Sequence, residues 1–161
     1  MTDAVYCLCS SEPQANAILT HLRSAGFTSE ISVLLQEKAE TRNISVKEDA
    51  ARGAKIGSIV GAALAGVVLP GLGAALAIGP LMAALGGAAA GGAVGGLAGG
   101  SGAFKPLDLP DEVAQRLHQR LGEGDILIAV HTDDATARQT ALGIFKSEGA
   151  EEIGDRGGQA A

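Results

Sequence analysis

The feature that most constrains this chain is a stretch of 49 consecutive residues, Ile56 to Phe104, that contains no charged side chain. Its conventional polar side chains are Ser58 and Ser101. A segment of this length and character in a chain of 161 residues would expose a large apolar surface if it lay open to water. It must therefore be covered, either by lipid or by other protein.

Two successive stretches of this segment have the length of membrane-spanning helices. As helices, Ile56–Ile78 and Leu81–Gly100 would measure roughly 34 and 30 Å, close to the hydrocarbon core of a bilayer. Gly79-Pro80 would form the turn between them. Basic residues flank the pair on both sides, namely Arg52, Lys55 and Lys105. By the positive-inside rule this pattern predicts a bacterial inner-membrane location, with membrane lipid as a partner and both termini cytoplasmic.

Many glycines of this segment recur every four residues, which would place each series on one face of a helix. Such faces let two backbones approach closely, so they predict helix packing and a homo-oligomer. The predicted packing positions are Gly53, Gly57, Gly61, Gly87, Gly91, Gly95 and Gly99, with a second series at Gly92, Gly96 and Gly100. The same composition also fits a hairpin buried within a soluble cytoplasmic assembly. A flexible Gly/Ala linker is a third interpretation, but linkers lack Ile, Leu and Val at this density.

A strand–helix–strand pattern precedes the uncharged segment and recurs after it. Val5–Cys9 and Ile31–Leu35 are predicted strands around a helix that begins after a Ser11 cap, with Gln14 completing a capping box. After the segment, Asp125–Val130 is a strong predicted strand, and a helix ending before Gly149 leads to a weaker strand over residues 151–155.

Two such halves predict an α+β fold, a ferredoxin-like split-βαβ sandwich with a Gly/Ala-rich hydrophobic helical hairpin inserted between strands 2 and 3. A further helix is predicted over about residues 110–121, ending at Gly122. The predicted domains are a discontinuous αβ headpiece (1–50 and 105–155), the glycine-zipper hairpin (51–104) and a disordered tail (156–161).

The cysteines and histidines do not form a recognisable reactive or metal-binding pattern. Cys7 and Cys9 lie on the same face of the first strand, and such a pair holds a soft metal only if further ligands converge on it. His21, His118 and His131 have no ligand spacing to one another, and His131 is expected to be a solvated strand end. We therefore interpret the cysteines as small core residues, with redox sensing as the alternative.

Other motifs that carry chemistry are equally weak. Asp133-Asp134 is expected to cap a helix, with Thr132 or Asp133 as the N-cap residue, and Glu151-Glu152 is a second acidic pair. The run Gly86–Gly102 lacks the preceding strand and the lysine of a phosphate-binding loop. The net charge of −6 argues against nucleic-acid binding. We expect no catalytic residues, no cofactor, no bound metal and no small-molecule substrate.

Several blocks occur in a fixed order: PGLG at 70–73, LAIGPL at 76–81, a Gly/Ala-rich run, LPDEVA at 109–114 and GDILIAV at 124–130. In this order they resemble the bacterial general-stress and low-temperature-induced protein family, over a region from Val5 to Ile153. The resemblance implies a ferredoxin-like fold interrupted by a glycine-zipper hairpin. It also implies a role in stress responses and association with membranes or self-assembly, and it implies no catalytic residues.

The sequence therefore predicts a non-enzymatic, stress-associated protein that is membrane-inserted or self-assembling, with glycine-zipper hairpins that pack into a homo-oligomer. Two alternatives stay open. One is a regulatory ferredoxin-like module that binds a small ligand, which rests on analogy of fold alone. The other is a pore-forming protein, against which the lack of polar residues in the middle of the segment argues.

Overall fold

The computed structural model describes residues 3–36, 65–69, 73–80, 107 and 109–155. Within these residues the chain forms six strands and three helices, which confirms the α+β class. The strands are β1 (Ala4–Cys9), β2 (Ile31–Gln36), β3 (Ala65–Leu69), β4 (Gly73–Ile78), β5 (Ile126–His131) and β6 (Glu151–Asp155). The helices are α1 (Glu12–Ser24), α2 (Asp111–Glu123) and α3 (Ala135–Ser147).

All six strands join one sheet in the order β3-β4-β2-β5-β1-β6, and every pairing is antiparallel. The four strands β2-β5-β1-β6, together with α1 and α3, have an arrangement compatible with the predicted ferredoxin-like fold. The remaining strands, β4 and β3, lengthen this sheet beyond β2.

Both faces of the central strands are covered by helices, which explains why β1 and β5 are buried along their whole length. On one face α1 and α3 pack against alternate residues of the central strands, with Ile18 and Phe145 fully buried. On the other face α2 packs through Leu117 and Leu121 against residues such as Leu127. Because each central strand faces a core on both sides, its sequence is apolar throughout rather than alternating.

The predicted helix ends are confirmed in part. Ser11 caps α1, because its hydroxyl accepts a hydrogen bond from the backbone N–H of Gln14. The cap of α3 is Asp134 rather than Thr132 or Asp133, and its carboxylate accepts from the N–H of Thr136 at 2.9 Å. Helix α2 continues through Gly122 to Glu123, and Gly124 caps its C-terminus with a φ of +106°.

The helical interpretation of Ile56–Ile78 is wrong for the part of it that the structure describes. Ala65–Leu69 and Gly73–Ile78 form an antiparallel β-hairpin, and β4 pairs with β2 with Leu34 opposite Ala77. A short apolar run does not by its periodicity distinguish a buried strand from a buried helix. Val67-Val68 favours a strand, Pro70-Gly71 favours a turn, and the edge of β2 supplies the pairing partner.

Among the described residues, no helix combines the length and the apolar character that crossing a bilayer requires. The second predicted span, Leu81–Gly100, lies outside the described residues, as does the predicted tail 156–161.

Candidate functional site

The glycines predicted as packing positions all lie outside the described residues. They are Gly53, Gly57, Gly61, Gly87, Gly91, Gly92, Gly95, Gly96, Gly99 and Gly100. What the structure shows of the uncharged segment is the β3–β4 hairpin and its junction with β2. The candidate site is therefore this hairpin, considered together with the polar groups of the surrounding fold.

The junction between the hairpin and the rest of the sheet depends on Gly79. This residue has a φ of +82°, and a Cβ atom placed on it would lie 2.9 Å from both the carbonyl carbon of Ile31 and the Cα of Ser32. Such a separation is closer than real Cβ atoms approach backbone. The turn that the sequence predicts at Gly79 is a bend in the structure, and it follows a strand rather than a helix. Glycine at this position lets the chain leave β4 while passing close to the start of β2.

The two edge strands of the sheet differ in charge and in backbone regularity. At one edge, the five residues of β3 are Ala, Gly, Val, Val and Leu, so this strand has no charge. At the other edge, β6 contains Glu151, Glu152 and Asp155. Its pairing with β1 shifts register, and Glu152 has a φ of +47°. Charges and irregular backbone are the features by which proteins prevent strands from adding to a sheet edge. Within the described residues, β6 has such protection and β3 lacks it.

Two of the three acidic side chains of β6, those of Glu151 and Glu152, form ion pairs with α2. Arg120 places Nη2 at 2.6 Å from Oε2 of Glu151 and Nε at 2.5 Å from Oδ2 of Asp125. Arg116 Nη1 lies 3.9 Å from Oε2 of Glu152. The hydrogen bonds to Glu151 and Asp125 raise the pKa of Arg120 above its usual value, so the guanidinium stays charged. The pair Glu151-Glu152 thus helps to hold α2 against the sheet.

Cys7 and Cys9 are free thiols buried in the core between the sheet and the helices α1 and α3. Burial raises the pKa of the Cys7 thiol well above its usual value, and a hydrogen bond with Cys9 acts in the same direction. A buried neutral thiol is a poor nucleophile and a poor metal ligand. Among the described residues, no three His, Cys, Asp or Glu side chains are arranged to hold a metal ion.

His21 and His131 lie in different surroundings, and His131 departs from its predicted solvated position. His131 is buried, with Nε2 at 2.9 Å from the hydroxyl oxygen of Ser32 on β2. Its burial lowers the pKa of the imidazole. His21 on α1 instead lies at the surface, with Nδ1 at 2.8 Å from Oε1 of Glu148. The burial of His131 could not be predicted, because the sequence contains no direct signal that this end of β5 is covered.

We expect acid to destabilise the protein in part through His131. The pKa of this group is lower in the folded state than in the unfolded chain. As pH falls through about 6.5, the ordinary value for histidine, the unfolded chain takes up a proton before the folded chain does. The free energy of unfolding therefore decreases with falling pH in this window, whereas above it both states are neutral and His131 adds no pH dependence.

The measurement is urea unfolding at pH 5.5 and at pH 7.5. The free energy of unfolding of His131→Asn should decrease less from pH 7.5 to pH 5.5 than that of the wild type does. The control His118→Asn retains His131, so its free energy of unfolding should decrease as much as that of the wild type. An equal loss in the wild type and in His131→Asn would contradict the prediction.

No protein-family model, curated protein or solved structure gives a significant match to this chain.

Proposed function

We propose that this protein is a non-enzymatic, self-assembling protein whose uncharged segment, residues 56–104, joins copies of the chain into a homo-oligomer. The observation that carries the proposal is the uncharged β3–β4 hairpin. The hairpin extends the sheet of the headpiece, and its outer strand, β3, contains no charged residue. The segment around the hairpin is also uncharged, so it favours contact with protein or lipid over contact with water.

The way the described fold uses its polar groups supports a non-enzymatic role. The cysteines lie in the core, and Asp134 caps α3. Glu151 forms an ion pair with Arg120, and His131 shares a buried hydrogen bond with Ser32. Each of these groups therefore has a structural role that accounts for its position.

The resemblance to the bacterial general-stress and low-temperature-induced family supports a role in the stress response of a bacterium.

A lipid bilayer is the alternative to protein as the environment of the uncharged segment. In that case the protein would associate with the inner membrane, with both termini cytoplasmic. Whether assembly requires lipid distinguishes burial of this segment against other copies of the chain from burial in a bilayer.

The test of self-assembly is chemical crosslinking of the purified full chain in detergent-free buffer. We expect oligomers of the wild type, and we expect Gly91→Leu and Gly95→Leu to abolish them. Leucine at these positions would hold a neighbouring backbone away and so remove the close contact that glycine permits. Circular dichroism should show that the headpiece of each variant remains folded.

Gly143→Leu is the matched control, because Gly143 lies on the exposed side of α3 and a Cβ there meets no atom within 4 Å. It introduces the same bulk outside the uncharged segment and should assemble like the wild type. Normal crosslinking of both segment variants would contradict the proposed contact positions. A wild-type chain that is monomeric in water and floats with phospholipid vesicles would contradict self-assembly and favour the lipid alternative.

A further inference from the structure

We draw no further inference here: the strongest candidate, the buried side-chain cluster of Ser32 on β2 and His131 on β5, carries nothing beyond the pH dependence of folding already derived for His131, because the described residues do not show which other groups face it.

Discussion

Replacing Gly79 with alanine is expected to destabilise the protein by more than about 2 kcal/mol, chiefly by disrupting the junction between β4 and β2. Two costs add at this position. The φ of +82° is unfavourable for any residue with a Cβ, at about 1–2 kcal/mol. The new methyl group would also collide with the backbone of Ile31 and Ser32, which are fixed by their pairing with β5. Relief of this collision requires movement of β4 away from β2.

Gly26→Ala separates these two costs. Gly26 also has a positive φ, +98°, but an added Cβ meets no atom within 4 Å. This control therefore incurs the conformational cost alone. Urea unfolding of both variants measures the difference, and Gly79→Ala should lose clearly more stability than Gly26→Ala. Equal losses would show that the hairpin is not seated against β2 as described.

The second large effect concerns the thiols. In the native protein, we expect Cys7 and Cys9 to react with a thiol reagent about a thousandfold or more slowly than in denaturant. Both side chains are fully buried, and burial raises the pKa of Cys7. Reaction therefore requires opening of the core, at a free-energy cost that approaches that of global unfolding. The measurement is the labelling rate in native buffer and in urea.

A cysteine introduced at the exposed position Gly143 serves as the control, since Gly143→Cys should label rapidly under native conditions. Rapid native labelling of Cys7 or Cys9 would contradict their placement in the core. It would instead favour the redox-sensing interpretation that the sequence left open.

The elements of the headpiece could be predicted because their signals are local. Ser11 with Gln14 marks the start of α1, and the structure shows that cap. The runs Ala4–Cys9 and Ile126–His131 are apolar at nearly every position, which is typical of strands covered on both faces. Their repetition around similar helices was sufficient to predict the α+β class and an arrangement compatible with the split-βαβ order.

The hairpin could not be predicted in the same way. Ala65–Ile78 is apolar whether it forms a helix or two strands, and its assignment is determined by a distant partner, β2. The burial of His131 likewise depends on tertiary contacts, among them its hydrogen bond to Ser32, 99 positions earlier in the chain. One long-range signal was present in the sequence. Arg116 and Arg120 share a face of α2, and their charge matches the acidic pair Glu151-Glu152.

The central claim, that the uncharged segment joins copies of this chain, is tested most directly by sedimentation equilibrium of the purified full chain without detergent. The account predicts a mass that is a multiple of the 16.0 kDa of one chain. A mass of one chain at every concentration, from micromolar to the limit of solubility, would contradict it.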